Sequence, residues 1–286
     1  MLEIVLFPSS YFSMNKVDED LQAEYDAVVA TGLYEVAFFG YEKWFQEGKL
    51  VLNRSFNKVV TAVYRGWMMK PEQYRSFYEA LSENNIKLIT EPRQYEQFHV
   101  FPNVYPLVEA DTAKMLVYPK GTSVDLDEVK KHFNRFMVKD FVKSVKGTEF
   151  PRFFEASVTE QEFAQWMEVF YKYRGNLFTG GICIKEFLDL KFYGEQTNEY
   201  RVYYINHNIA TVSRNSLQGN YTAQPPQALL EKYTELNSLF YTIDVAELAD
   251  GSWRIIEAGD GQVSGLSEGQ DYEAFFRSLY ICFKED

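Results

Sequence analysis

The chain has 286 residues, and a hydrophobic fraction of 46% with 17% aromatic residues excludes an intrinsically disordered protein and allows a sizeable core. A net charge of −12 and a pI near 4.9 argue against general nucleic-acid or anionic-membrane binding. Two cysteines, Cys183 and Cys282, predict no disulfide framework or zinc site, and no apolar run approaches about 18 residues, so we expect a cytoplasmic protein without membrane spans.

The first part of the chain alternates strand and helix signals. Leu2–Phe7 predicts a strand rather than a signal peptide, and Tyr34–Phe39 and Val59–Tyr64 predict the next two strands. Val17–Ala30 predicts a helix between them, and Pro71 opens another, where its missing N–H is tolerated. Strands that alternate with helices predict a parallel sheet of β-α-β units.

From about Lys114 to residue 187 the pattern predicts a compact α+β unit. Thr159 and Glu162 match a capping box, and the apolar stripe behind them predicts a helix packed on a core. Phe136–Phe141 predicts a strand that ends in a lysine-bearing loop. Such a loop can hold phosphates, or it can be solvated. Its candidate phosphate-binding residues are Lys139, Lys143, Ser144, Lys146 and Gly147.

The remaining strands carry further charged residues. Ile182–Leu188 predicts a strand ending in Lys185 and Glu186, which is either ordinary or a backbone edge for a flat heterocycle. Arg201 and Arg214 lie on two strands joined by Asn206-His207-Asn208, and arginine binds phosphate or carboxylate in a bidentate manner, unless each is held in a salt bridge. A turn at His207-Asn208 places Arg201 opposite Arg214, whereas a turn at Asn206-His207 does not.

An acidic hairpin provides the clearest candidate site. Asp250-Gly251 predicts a two-residue turn, which would pair Ala249 with Ser252, Leu248 with Trp253 and Asp244 with Glu257. Two carboxylates facing each other repel unless a cation compensates them, and Asp260 adds a third carboxylate nearby. Oxygen ligands of this kind suit Mg²⁺; the alternative is a surface hairpin with one charged face.

Together, the lysine strand and its Ser/Gly loop, the capped helix, the Lys-Glu strand, the two arginine strands and the Asp and Glu strands resemble the ATP-grasp superfamily of ATP-dependent ligases, in a divergent clade with an Arg-Gly-Trp segment. The resemblance covers about residues 114–265. It implies an α/β (α+β) ATP-grasp fold with a Rossmann-like domain at 1–113, a small α+β lid subdomain at 114–188 and an antiparallel-sheet subdomain with the metal site at 189–286.

The resemblance also implies roles for individual residues. Lys139 would contact the α-phosphate side of ATP, and the Ser144–Gly147 loop would cover the β- and γ-phosphates. Arg201 and Arg214 would steady the γ-phosphate or an acyl-phosphate. The family usually has Glu-x-Asn at the second metal strand, whereas this chain has Glu257-Ala258-Gly259, so Asp260 would supply the missing oxygen. Implied at the adenine and ribose are Lys185, Glu186, the backbone at Leu188, and Glu199; implied at Mg²⁺ are Asp244, Glu257 and Asp260.

The implied activity is ATP- and Mg²⁺-dependent joining of a carboxylate to an amine or thiol, since phosphorylation converts a carboxylate into an acyl-phosphate with a good leaving group. The carboxylate would belong to a peptide, a protein or a small acid. Arg65 and Trp67, after the third strand, are candidates for substrate binding or for local packing. The alternatives are a nucleotide-binding or sensing module without turnover and a structural partner protein with a solvent-facing acidic hairpin.

Overall fold

The structure, a computed structural model, describes residues 1–145, 147–219 and 223–284. The first part forms a sheet with parallel pairs β3–β1, β1–β4 and β4–β5, and β2 turns back antiparallel along the end of β1. The parallel β-α-β prediction is confirmed. Its elements are β1 (Ile4–Ser10), β2 (Ser13–Val17), α1 (Gln22–Thr31), β3 (Glu35–Phe39), α2 (Tyr41–Glu47), β4 (Val60–Tyr64), α3 (Pro71–Glu83), β5 (Ile86–Leu88), α4 (Pro92–His99) and α5 (Phe101–Val108).

The middle part is an antiparallel sheet of order β6-β9-β7-β8, covered by helices. Thr159 caps the longer helix: its hydroxyl accepts from the Glu162 N–H, and the Glu162 carboxylate accepts from the Thr159 N–H, as the capping box predicts. The elements are β6 (Met115–Pro119), α6 (Leu126–His132), β7 (Arg135–Asp140), β8 (Phe154–Glu155), α7 (Glu160–Arg174) and β9 (Gly181–Glu186).

The last part is an antiparallel sheet of order β13-β12-β14-β15, preceded by a small hairpin. Short 3₁₀ turns lie at Glu19–Leu21, Glu109–Asp111 and Gly175–Leu177. The remaining elements are β10 (Phe192–Tyr193), β11 (Gln196–Thr197), β12 (Glu199–Ile205), β13 (Asn208–Arg214), α8 (Gln227–Glu231), β14 (Phe240–Glu247), β15 (Trp253–Asp260) and α9 (Tyr272–Cys282).

The first and last parts share a hydrophobic core. Phe7 of β1 and Val28 of α1 belong to the same buried cluster as Tyr203 of β12 and Phe275 and Phe276 of α9. The middle sheet has its own core, in which Phe136, Phe154 and Phe170 are buried. The middle sheet therefore packs as a separate layer, and its two central strands, β7 and β9, line a cleft that is bordered on the other side by β15 of the last sheet.

No helix in the described part of the chain has the length and apolar character needed to cross a membrane.

Candidate active site

A row of charged side chains crosses three neighbouring strands of the last sheet. Arg201 on β12 pairs with Asp244 on β14, and Asp244 pairs with Glu257 on β15. Because directly opposed residues share a face, all three side chains lie on the same side of the sheet. The predicted pairing of Asp244 with Glu257 is confirmed.

The route to that pairing differs from the prediction. Leu248 N–H donates to the Ser252 carbonyl at 2.8 Å, so the loop has three residues, with Gly251 at φ +84°. The predicted pairs Ala249/Ser252 and Leu248/Trp253 are therefore wrong, and Glu247 pairs with Trp253. A β-bulge between Asp244 and Val245 then shifts the register back by one residue. The two irregularities cancel, and Asp244 still faces Glu257.

Arg201 holds Asp244 in a bidentate ion pair. Nε donates to Oδ1 at 2.9 Å and Nη2 donates to Oδ2 at 2.7 Å, while Nη1 donates to the Gly265 carbonyl at 2.9 Å. Burial lowers the pKa of Arg201, but the charge of Asp244 outweighs it and keeps that pKa above its ordinary value. This guanidinium compensates the repulsion that the facing carboxylates would otherwise suffer.

Two buried lysines of the middle sheet lie close to Glu257. Lys139 Nζ lies 3.4 Å from Glu257 Oε1, and Lys185 Nζ donates to the Ile256 carbonyl at 3.1 Å. Both ammonium groups also lie over the Phe101 ring, at 5.0 and 4.0 Å from its centre. Burial, and secondly the charge of Lys139, lowers the pKa of Lys185 to about 7. An anion bound between the two lysines would offset the unfavourable free energy of keeping two ammonium groups charged in a buried site, so the lysine pair favours phosphate binding.

The loop after Lys139 is organised by Asp140, a residue that sequence reasoning missed. Its Oδ1 accepts from the N–H groups of Val142 and Lys143, both at 2.7 Å, and Lys139 bridges to Ser144. The turn places Ser144 in the lining of the cleft between the middle and last sheets, and Lys143 in the lining of a smaller cleft beside it. The signal was present, because an Asp whose side chain accepts from N–H groups two and three residues on is a common turn former. Lys146 lies outside the described residues.

The large cleft has a volume of about 600 Å³ and lies between the middle and last sheets. The segment that follows β9 forms one wall, and Ile256 and Glu257 of β15 lie at the lysine-bearing end. Glu199 also lines this cleft and accepts a hydrogen bond from Thr197 at 2.5 Å. Of the predicted nucleotide-binding residues, those that line the large cleft are Lys139, Ser144, Gly147, Lys185, Glu186, Leu188 and Glu199.

A small cleft of about 100 Å³ adjoins the large one, and Glu257 lines both. Arg201, Asp244 and Asp260 line it from the last sheet, His99 from α4, and Lys143 from the loop after β7. Because β15 is an edge strand of that sheet, residues from both of its faces can border a cleft at this edge.

Asp260 does not join the two facing carboxylates. It pairs with Tyr241, whereas Asp244 pairs with Glu257, so the register places the Asp260 side chain on the opposite face of the sheet. Asp260 as a third ligand beside Asp244 and Glu257 finds no support in this geometry.

The donor set fits a magnesium ion that is shared with phosphates. Within the described residues, no group of three or more carboxylate, histidine or cysteine side chains forms a metal site by itself. Mg²⁺ in phosphate-binding sites usually needs only one or two carboxylates, because phosphate and water oxygens complete its octahedron. Asp244 and Glu257 supply two facing carboxylates, and the lysines beside Glu257 give the phosphates a place to bind.

The structure does not bring Arg214 to the same face as Arg201. The turn lies at Asn206-His207, both of which have positive φ, and Arg201 pairs with Ser213 while Arg214 pairs with Tyr200. Adjacent residues of a strand point to opposite faces, so Arg214 lies on the other side of the sheet, over the Tyr200 ring at 5.3 Å. Arg214 is therefore not placed beside Arg201, and the role implied for it at the phosphates stays a prediction that this geometry does not support.

Arg65 is a buried link between the first and last parts. It is 2% exposed and donates to both carboxylate oxygens of Glu24 at 2.8 Å, and to the Ser264 carbonyl at 2.9 Å. Trp67 is half-buried, with Nε1 3.4 Å from Asp18 Oδ2. Neither residue is among those that line the two clefts, whereas Met68 lines the small one. These contacts favour packing over substrate binding for both residues.

Comparison with known proteins places these features in a family. The family model described as ATP-grasp domain, clade family 3, matches residues 120–279, and no curated protein matches the chain by sequence. Among solved structures the chain is similar to D-cycloserine synthetase DcsG, with a TM-score of 0.61 and 13% identity over 97% of this chain and 99% of that chain.

It is also similar to the ATP-grasp ligase PsnB complexed with a minimal precursor (TM-score 0.62, 11% identity, 99% of this chain and 100% of that chain). A third similar structure is the D-alanine-D-alanine ligase from Coxiella burnetii (TM-score 0.62, 8% identity, 99% of this chain and 95% of that chain). These likenesses show a shared fold, and the family model spans more than half of the chain. The chain thus belongs to this clade family 3 of the ATP-grasp domain, within the superfamily of ATP- and Mg²⁺-dependent ligases.

Proposed function

We propose that this protein is an ATP- and Mg²⁺-dependent ligase that joins a carboxylate to an amine or a thiol through an acyl-phosphate. The carboxylate would belong to a peptide, a protein or a small acid. The observation that carries the proposal is the convergence of two buried lysines with Glu257 at one end of the large cleft, where Glu257 in turn faces Asp244 on the neighbouring strand. Such an end suits a triphosphate, because phosphoryl transfer depends mainly on positioning and on charge neutralisation.

The lining of the large cleft suggests how ATP would lie. The strand end at Glu186 and the backbone at Leu188 would border the adenine, and Glu199 would accept from the ribose hydroxyls. Lys139 and Lys185 would then contact the phosphates, with Ser144 as a hydroxyl donor from the loop. Mg²⁺, when bound, would neutralise part of the phosphate charge between Asp244 and Glu257.

The chain's own residues would position the reacting groups. Arg201 fixes the Asp244 carboxylate, and Lys139 holds Glu257 at the junction of the two clefts. A substrate carboxylate oxygen there would bond to the γ-phosphorus of ATP while the bond to the β-phosphate oxygen breaks and ADP leaves. An amine or thiol would then bond to the carbonyl carbon, and phosphate would leave with the electron pair of the broken C–O bond.

The similar solved structures support ATP as one substrate and a peptide or an amino acid as the other. PsnB has been solved with the precursor peptide PsnA2 and AMPPNP, and a Bacillus anthracis D-alanine–D-alanine ligase has been solved with ATP. We transfer only the general class to this chain, as part of the proposal.

A nucleotide-binding or sensing module without turnover is the second candidate. Gly259 stands where the family usually has asparagine, and Asp260 lies on the other face of the sheet, so one customary metal oxygen is missing. A module of this kind would bind ATP with Mg²⁺ but would release no ADP in response to an acid and an amine.

Two measurements test the proposal. Calorimetric titration with ATP should show binding that Mg²⁺ strengthens, and Glu257→Gln or Asp244→Asn should remove most of the Mg²⁺ effect, whereas the exposed control Glu195→Gln should not. An unchanged Mg²⁺ effect in both site variants would contradict the assignment. ADP release should then be measured with pooled amino acids and small carboxylic acids as acids and hydroxylamine as the amine. Hydroxamate formation supports the ligase, and ATP binding without hydroxamate supports the sensing module.

A further inference from the structure

Phe101 connects the two lysines of the large cleft to the core behind them. Lys139 of β7 lies opposite Cys183 of β9, and Lys185 follows Cys183 by two residues. Because residues two apart on a strand share a face, the two lysines are diagonal neighbours on one face of the middle sheet. Their ammonium groups lie over the Phe101 ring, 5.0 Å from its centre for Lys139 and 4.0 Å for Lys185. One ring thus makes cation–π contacts with two cations from neighbouring strands.

The ring is fixed by packing in the core. Phe101 is 2% exposed and belongs to the buried cluster that contains Val104 of α5 and Tyr241 and Ile255 of the last sheet. Its backbone N–H donates to the Phe141 carbonyl, just after β7, at 2.8 Å. Phe101 is not among the described residues that line the two clefts. Its influence on a nucleotide in the large cleft would therefore pass through the lysines.

The two lysines need a partner that leaves their positive charge available to the cleft. Lys139 donates to the half-buried Glu257 carboxylate, and Lys185 donates to the Ile256 carbonyl. A second carboxylate beside the lysines would neutralise the pair and would repel a phosphate. An aromatic ring attracts an ammonium group through the negative charge of its face, but it has no net charge. The Phe101 ring therefore holds the cations without neutralising them.

We propose that Phe101 is a positioning residue for the phosphates, whose ring face holds Lys139 and Lys185 charged and in place in the lining of the large cleft. The assignment rests on the proposed ATP-dependent function and deepens it, because it explains how two like charges stay side by side before the nucleotide binds. An alkyl side chain would fill the same space without attracting the ammonium groups. Side chains that are already in place lose less conformational entropy on binding, so the ring should strengthen the binding of phosphates.

Ring fluorination of Phe101 in the full chain separates the charge of the ring face from its shape. Phenylalanines that carry one, two or three ring fluorines attract a cation progressively less, while the ring volume changes little. The matched control is the same series at Phe170, which is buried in the core of the middle sheet and whose described ring contacts are with Phe150 and Tyr171. Calorimetric titration with ATP, and with adenosine, which has no phosphates, measures the effect.

We expect the affinity for ATP to fall with each fluorine added at Phe101, by about tenfold in total, while the affinity for adenosine stays the same. The Phe170 series should change neither affinity. ATP affinities that do not respond to fluorination of Phe101 would overturn its role and leave the ATP site standing. Affinities for ATP and adenosine that fall together would also overturn it, because a merely structural role predicts that result.

NMR of the nucleotide-free protein tests the geometry without relying on the proposed function. A proton above a ring face resonates upfield, so isotope-labelled lysine should show upfield ε-methylene signals for Lys139 and Lys185, which Lys139→Met and Lys185→Met would assign. Phe101→Leu should return both signals to the range of exposed lysines, and Phe170→Leu should not. Unshifted signals in the wild-type protein would overturn the assignment even if Phe101→Leu does not fold. Upfield signals in a protein that binds no ATP would defeat the proposed function and support the hold of the ring on the lysines.

Discussion

Asp140, at the end of β7, and Arg174, at the end of α7, form a buried ion pair, with Nε donating to Oδ2 at 2.7 Å. Asp140 is fully buried, and its other oxygen accepts from the N–H groups of Val142 and Lys143. The Asp140 carboxylate thus fixes the loop that follows β7, and it connects that loop to α7, which covers the middle sheet. We infer that the shape of the loop depends on this pair.

Two variants of Asp140 should separate the loop from the ion pair. Asp140→Asn keeps an oxygen for the loop N–H groups but leaves Arg174 without its charge partner, which should cost about 3 kcal/mol of unfolding free energy. Asp140→Ala removes both the acceptor for the loop N–H groups and the ion pair with Arg174. It should therefore also weaken ATP binding, by about tenfold relative to Asp140→Asn. Denaturant unfolding and ATP calorimetry measure the two effects. Equal ATP affinities in the two variants would show that the loop does not depend on Asp140.

Removing the charge of Lys185 should have opposite effects on stability and on nucleotide binding. Its ammonium group is buried beside that of Lys139, and burial is the main reason for its lowered pKa of about 7. Lys185→Met should therefore raise the melting temperature of the protein without nucleotide and weaken ATP binding by about tenfold or more. Differential scanning calorimetry and ATP titration give the two numbers. A variant that is less stable and binds ATP normally would contradict the phosphate role.

Local patterns predicted much of the fold, and they also predicted the charged pair of the site. The capping box at Thr159 and Glu162 is encoded within a few residues and appears in the structure as predicted. A hairpin also forms at Asp250-Gly251, but with a three-residue loop in place of the predicted two-residue turn. The exact register at the turn is less local. The loop gained one residue and a β-bulge compensated for it, so Asp244 met Glu257 through an arrangement that turn chemistry alone does not specify.

What could not be predicted depends on distant contacts. The ammonium groups of both site lysines lie over the Phe101 ring, although no sequence pattern in α4 or α5 predicted that this segment borders the site. The faces of Arg214 and Asp260 depend on strand pairing that is set by a bulge and by a turn with two acceptable positions. A one-residue change of register reverses the face of a side chain, so such assignments fail first.

Glu247 should stabilise the small hairpin that borders the large cleft. Its buried carboxylate accepts from Lys191 Nζ at 2.7 Å, Asn198 Nδ2 at 2.8 Å and the Tyr193 hydroxyl at 2.9 Å. Burial raises the pKa of Glu247, but these donors outweigh it and hold that pKa below its usual value. Glu247→Gln should cost about 2 kcal/mol of unfolding free energy, since one charge-assisted acceptor set is lost. Urea unfolding of both variants measures this loss, and it should be absent in the control Glu195→Gln, which changes an exposed residue between β10 and β11.

The pH dependence of stability should reveal the burial of Asp260. Burial is the main cause that raises its pKa to about 7, and the Gln262 donors and Arg65 only partly oppose it. The other titratable groups near its carboxyl group are Tyr74 and Tyr95, whose hydroxyls stay protonated, and the neutral His99. A group whose pKa is higher in the folded protein binds its proton more tightly there, so its contribution is complete below about pH 4 and is lost as the pH rises through about 7.

Asp260→Asn removes this dependence, because an amide does not ionise. The variant should match the wild-type protein near about pH 4 and should be more stable at about pH 8, by an amount of the order of 4 kcal/mol if the whole shift is expressed. Urea unfolding of both proteins across this pH range measures the difference, and Asp127→Asn, which changes an exposed aspartate on α6, serves as the control. A stability difference that stays constant across this range would mean that Asp260 is ionised in the folded protein at every pH. The carboxylate would then need a cation or another donor close to Oδ2.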